Sequence, residues 1–129
     1  MKTVLADTNI LSYAHNNHTF WQMYQPLLAG CIVIITAQTV AELRYGALSV
    51  GWGERRTANL EAMIAQYPVV YPNNAICSGW AEVRVQAACL GCHINQNDAW
   101  IAATALALGV PLATHNKKHF DFLATLELI

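Results

Sequence analysis

The chain has 129 residues, which suits one compact domain, and it is 55% hydrophobic with only 12% charged residues. Its net charge of −1, from 7 Lys and Arg against 8 Asp and Glu, excludes nucleic-acid binding that rests on a broad basic surface. No N-terminal stretch has the form of a secretory signal and no apolar run reaches membrane-spanning length, so the reading is a cytoplasmic protein whose four cysteines are reduced thiols.

In chain order, Thr3 to Ala6 reads as a buried strand, ending at Asp7. A helix begins at Asn9 and runs to about Tyr13, and another spans roughly Thr19 to Ala29, closed by Gly30. Cys31 to Ile35 is a second strand, rich in β-branched residues. Ala37 to Leu48 is helical with Val40, Leu43 and Ala47 on one face, and Glu54 to Gln66 is helical with Leu60, Met63 and Ile64 inward. Between them, Gly51 and Gly53 mark a loop. Val69 to Tyr71 reads as either a short strand or an extended link between Pro68 and Pro72. Asn74 to Leu90 is a long helix with Ala81, Val85 and Ala88 on its apolar stripe. Asp98 to Leu108 is almost wholly apolar and should be a buried helix ending at Gly109. Leu112 to Thr114 is the next strand, and Leu126 to Ile129 a last edge strand. Strands alternating with helices over residues 1–129, with no linker or repeat, predict a parallel α/β sandwich.

Three carboxylates fall where such a sheet collects ligands. Asp7 stands at the end of the first strand. Glu42 follows Gln38 by one turn, in the first turns after the second strand, and Asp98 opens the buried helix. Singly, Asp7 and Asp98 also read as helix caps, and Glu42 as an exposed helical residue. Together at one sheet edge, the acids would repel one another and need a compensating cation. Mg²⁺ or Mn²⁺ suits an all-oxygen donor set, and its waters suit in-line attack on a phosphodiester.

The segments carrying these acids resemble the PIN domains, most closely the VapC-type ribonuclease toxins of bacterial and archaeal toxin–antitoxin pairs. The resemblance rests on Leu5-Ala6-Asp7-Thr8-Asn9-Ile10-Leu11, Thr39-Val40-Ala41-Glu42-Leu43-Arg44-Tyr45-Gly46, Asn97-Asp98-Ala99-Trp100-Ile101-Ala102-Ala103-Thr104-Ala105, and Leu112-Ala113-Thr114-His115-Asn116 followed by Phe120. All four occur in family order and cover essentially the whole chain. The resemblance implies a three-layer α/β/α fold with a mostly parallel sheet, and a Mg²⁺- or Mn²⁺-dependent endoribonuclease. It implies Asp7, Glu42 and Asp98 as the metal-holding acids. Thr8 and Asn116 orient water and ligands, and Asn9 is an amide behind them. At the fourth corner, where many members carry an acid, Asn116 is neutral, and His119 also replaces an acid, with Asp121 nearby as a substitute. The resemblance further implies an RNA substrate, a homodimer, and a cognate antitoxin that covers the acidic mouth, with no membrane role.

A rival of another class is a catalytically silent PIN-like module that only binds RNA or protein, motivated by the neutral Asn116. Cys89-Leu90-Gly91-Cys92-His93 spells the c-type haem attachment string, and the same three ligands suggest zinc. Haem attachment requires export, and structural zinc wants a second ligand pair, which Cys31 and Cys77 do not supply. Arg44, Arg55, Arg56, Lys117 and Lys118 are candidate RNA-holding cations. His115 lies beside the mouth, and Trp52, in its glycine-flanked loop, is a candidate contact for RNA or a partner. Trp80 and Trp100 read as packing residues.

Overall fold

A computed structural model describes residues 1–129. Its elements are β1 (Thr3–Ala6), α1 (Thr8–His15), α2 (Trp21–Leu28), β2 (Ile32–Thr36), α3 (Ala37–Val50), α4 (Glu54–Ile64), β3 (Val69–Val70), α5 (Asn74–Cys89), α6 (Gln96–Leu108) and β4 (Leu112–Ala113), followed by a 3₁₀ turn at Lys117–His119. The four strands form one all-parallel sheet in the order β3-β2-β1-β4.

β1 lies inside the sheet and is apolar and buried from Val4 to Ala6, as expected of a strand covered on both faces. Val4 and Ala6 enter one core with Ile10 and Leu11 of α1, Tyr24 of α2, Val40 of α3 and Leu60 of α4. Leu5, pointing the opposite way, enters the other core with Val83 of α5 and Ala99, Ile101 and Ala102 of α6. Side-chain alternation along one strand thus builds both outer layers, and the architecture is the predicted α/β/α sandwich. The chain progresses from β1 to β2 to β3 on one side, while β4 returns to the other side of β1. That reversal opens a crevice at the carboxyl ends of β1 and β4.

Helix ends follow local chemistry. Thr36 caps α3 through Thr39 N–H, Asn73 caps α5 through Ile76 N–H, and Asn95 caps α6 through Asp98 N–H. Gly51 and Gly109, both at positive φ, close α3 and α6. α6 is buried all round from Ala99 to Ala105 except at Trp100, as its composition predicts.

Two expectations need correction. The apolar stripe assigned to α5, Ala81, Val85 and Ala88, faces outward, and Val85 is 63% exposed. The buried face carries Ile76, Val83 and Ala87 on roughly the opposite side of the helix. α5 is apolar on both sides, so periodicity alone does not choose. The choice falls to the bulk of Ile76 and Val83, with Gly79 set close against Ala103 of α6. Leu126 to Ile129 does not form a strand; it makes one parallel bridge, Leu112 to Leu128, that covers the outer edge of β4. Val69 and Val70 do form a strand, paired with Ile35 and Thr36.

Candidate active site

Asp7 is the first residue past β1, and its backbone N–H donates to Ala113 O at 2.9 Å, extending the β1–β4 pairing. Its side chain is 4% exposed. Oδ1 accepts from Thr8 N–H at 2.8 Å, so the capping reading of Asp7 holds in part. Oδ2 accepts from Thr114 Oγ1 at 2.8 Å, across the crevice. Thr114 in turn accepts from Asn116 N–H at 3.0 Å. Thr114 is fully buried, so its hydroxyl is the group that satisfies the inner oxygen of Asp7. Thr114→Val should therefore lower stability by about 1–3 kcal/mol, or roughly 4–11 °C in melting temperature, while Thr114→Ser stays near wild type. Equal melting temperatures for the Val and wild-type proteins would contradict this role.

Glu42 lies on α3 and is half-buried rather than an exposed helical residue. Its Oε1 accepts from Thr8 Oγ1 at 2.9 Å. Thr8 Oγ1 also lies 2.9 Å from Thr39 Oγ1, and Thr36 Oγ1 lies 3.4 Å from Thr39 Oγ1. Thr8 is thus bonded to Glu42, and two further hydroxyls, Thr36 and Thr39, stand behind it. Sequence reasoning did not single those out. The signal available was a Thr-x-x-Thr step where a strand turns into a helix.

Asp98 occupies the first turn of α6, but the cap itself is Asn95. The two residues exchange bonds: Asn95 Oδ1 accepts from Asp98 N–H at 2.8 Å, and Asn95 Nδ2 donates to Asp98 Oδ2 at 3.1 Å. The same oxygen lies 3.0 Å from His119 Nδ1. His119 ends the 3₁₀ turn, which is anchored by the fully buried Phe120. Asp121 is exposed, and it is His119 that reaches the acids. Asn116 contributes its backbone N–H to Thr114 and is half-buried.

Electrostatics tie the three acids together. Burial, the largest influence, raises the Asp7 carboxyl above its usual range; Thr114 opposes this, and Asp98 adds to it. Burial likewise raises Glu42, with Thr8 opposing and both Asp7 and Asp98 adding to the rise. The acids therefore repel one another across a shared space. No three His, Cys, Asp or Glu side chains stand close enough to ligate one ion directly. The donor set is nonetheless all hard oxygen, and Asp98 Oδ1 is outside the bonds to Asn95 and His119. This fits a hydrated divalent ion held partly through water, the habit of Mg²⁺.

Clefts flank Glu42 on both sides. One of about 290 Å³ is lined by Thr8, Asn9, Ser12, His15 and Trp52, and another by Gln38, Ala41, Tyr45 and Asn97. Trp52 is half-buried against the core, with the Arg56 guanidinium 4.1 Å from its ring centroid and the His15 ring at 5.8 Å. Arg44 is paired with Glu61 through bonds of 3.1 and 2.7 Å. That leaves Arg55, Lys117 and Lys118 as the exposed cations without these engagements. His115 Nδ1 lies 2.6 Å from Tyr24 OH, and its ring stacks on Phe20 at 4.4 Å. Trp80 and Trp100, both half-buried, stack on each other at 5.3 Å. Cys89, Cys92 and His93 are exposed around the end of α5, where Gly91 takes a positive φ.

A four-stranded parallel sheet with a buried acid at the carboxyl end of β1, under the electrostatic influence of an acid on α6, defines a class. The PIN domain model matches residues 4–124, and the chain belongs to the PIN domain family. Within that class its relatives are VapC ribonucleases. It is 31% identical over 125 residues to Ribonuclease VapC1 of Haemophilus influenzae (strain R2866), covering 95% of this chain and 93% of the relative. It is 27% identical over 126 residues to Ribonuclease VapC2 of Rickettsia felis, covering 96% and 94%. Among solved structures, it is similar to VapBC-1 from nontypeable Haemophilus influenzae, with a TM-score of 0.81, 30% identity, and 98% and 96% of the two chains covered. It is also similar to VapBC2 from Rickettsia felis bound to a promoter DNA fragment, with a TM-score of 0.85, 26% identity, and 98% and 97% covered.

Proposed function

We propose that this chain is a Mg²⁺- or Mn²⁺-dependent endoribonuclease, acting as the toxin of a toxin–antitoxin pair. The observation that carries the proposal is the buried Asp7 at the carboxyl end of β1, sharing its space with Glu42 and Asp98. The ribonuclease activity is supported by the VapC relatives, and the metal by the all-oxygen, mutually repelling acids.

Asp7, Glu42 and Asp98 would hold the ion. When bound, it would lower the pKa of adjacent water and screen charge on the phosphoryl oxygens. The chain's own residues set the geometry. Thr114 and Thr8 N–H fix the two oxygens of Asp7, Thr8 Oγ1 aims Glu42, and Asn95 and His119 pin one oxygen of Asp98. Asn116, at the mouth, orients water or the phosphate without adding charge. Lys117 and Lys118, exposed on the adjacent turn, are the nearest cations in sequence to hold the RNA backbone. The reaction adds water across a phosphodiester, leaving one phosphomonoester and one hydroxyl end.

An antitoxin partner is supported by the VapBC complexes among the similar structures. A homodimer belongs to the same reading. Exposed Met23 and Leu27 on α2, and Tyr45, Leu48 and Val50 on α3, supply apolar surface for such partners.

The test is cleavage of end-labelled single-stranded RNA by the purified protein. Cleavage is expected with Mg²⁺ or Mn²⁺ and should stop on chelation by EDTA. RNA binding with no cleavage under any of these conditions would favour the catalytically silent module, for which the neutral Asn116 is the motive.

A further inference from the structure

We propose that Thr39 is a positioning residue for Glu42, acting through a one-way chain of hydroxyl groups that runs Thr36 to Thr39 to Thr8 to Glu42. The inference rests on the functional reading above and deepens it.

The direction of the chain follows from counting protons. Each threonine hydroxyl has one proton to donate. An ionised Glu42 accepts only, so the 2.9 Å bond from Thr8 Oγ1 to Glu42 Oε1 uses the proton of Thr8. The 2.9 Å contact between Thr8 and Thr39 then needs the proton of Thr39. The 3.4 Å contact between Thr39 and Thr36 needs that of Thr36. Thr36 Oγ1 is held in place by accepting Thr39 N–H at 3.2 Å, so the chain starts from the backbone of the first turn of α3. Successive hydroxyls polarise one another, and every dipole in the chain points toward Glu42.

A purely structural role explains less. The cap on α3 needs only Thr36 Oγ1 and the backbone N–H of Thr39. The hydroxyl of Thr39 is not a member of that capping bond, and meets the cap residue only through the longer 3.4 Å contact with Thr36. Thr39 is fully buried, and valine has its shape without its hydroxyl. What the hydroxyl does is donate to Thr8, the first residue of α1, and so keep the proton of Thr8 on Glu42 rather than turned back toward Thr39. The chain thereby sets the position of a side chain on α3 through a residue on α1, the helix that begins beside Asp7.

The experiment is calorimetric titration of Mn²⁺ into the metal-free protein, comparing wild type, Thr39→Val and Thr39→Ser, with no RNA present. Groups that orient a metal ligand typically contribute about 10–100-fold to affinity, and for a residue one step further out the expected loss in Thr39→Val is roughly tenfold. Thr39→Ser should restore wild-type affinity. If Thr39→Val does not fold, Thr39→Cys, close in size and a weak donor, replaces it with the same expected loss. Mn²⁺ affinity in the Val or Cys protein equal to wild type overturns the positioning role while leaving the nuclease reading intact. A wild-type protein that binds no Mn²⁺ overturns the metal reading itself, and this inference with it.

Discussion

Asp7→Asn is expected to abolish RNA cleavage and at the same time raise the melting temperature of the metal-free protein. The first effect follows from position. Asp7 is the buried member of the three acids, and its loss removes charge where the proposed ion and the transition state need it. A fall of about 10³-fold or more corresponds to roughly 4 kcal/mol of transition-state stabilisation. The second effect follows from the direction of its titration. Burial raises Asp7 above 3.8, so over the interval between the two values the folded protein binds more protons than the unfolded chain. Stability therefore falls as pH rises through that interval, and above it the whole penalty is present. An amide carries no charge to desolvate and does not repel Asp98. It keeps an oxygen for Thr8 N–H, and its nitrogen can donate to Thr114 Oγ1 in place of the present bond. A relief of about 1 kcal/mol is roughly 4 °C in a domain of this size. Thermal unfolding in EDTA and single-turnover RNA cleavage measure the two effects. Cleavage at the wild-type rate would remove Asp7 from the active site. Lost cleavage with a melting temperature several degrees lower would make Asp7 a structural cap.

Much of this arrangement was legible because it depends on short-range pattern. Thr3 to Ala6 reads as a strand from four residues, and a parallel sheet places its end among ligands, so Asp7 was visible at once. Glu42 and Asp98 were visible because each sits within two turns of a recognisable helix start. The pairing of Asp7 with Thr114 spans 107 positions and becomes a geometric fact only when β4 settles beside β1. The same holds for the hydroxyl chain, which joins α1 to α3 through groups that, taken singly, read as caps or core. His119 reaches Asp98 because Phe120 is driven into the core between α6 and the chain end, a packing event that periodicity does not register. The buried face of α5 escapes periodicity for a different reason. Its alanines make both sides apolar, and the choice belongs to the fit of Ile76, Gly79 and Val83 against its neighbours.

The burial and the weaker repulsion that make Asp7→Asn stabilising also predict what a divalent ion does. Mg²⁺ or Mn²⁺ at a hundredfold excess over its dissociation constant adds about 2.7 kcal/mol to the folded state, provided that the unfolded chain does not bind it. For 129 residues this is roughly a 10 °C rise in melting temperature. The rise should be largest near pH 8 and shrink as the medium is made acidic. Protons compete with the ion for Asp7 and Glu42, and because both carboxyls are held above 3.8 and 4.5, the competition begins at higher pH than for ordinary acids. Thermal unfolding across a pH series, with Mg²⁺, Mn²⁺ or EDTA, measures this. Asp7→Asn should lose most of the shift, while the exposed Asp121→Asn should keep it, which ties the effect to the crevice rather than to general screening of a weakly acidic surface. A wild-type melting temperature at pH 8 indifferent to both ions would mean that the repulsion among Asp7, Glu42 and Asp98 is relieved by something other than a divalent ion. A positively charged side chain from a protein partner would then be the group to seek at that position.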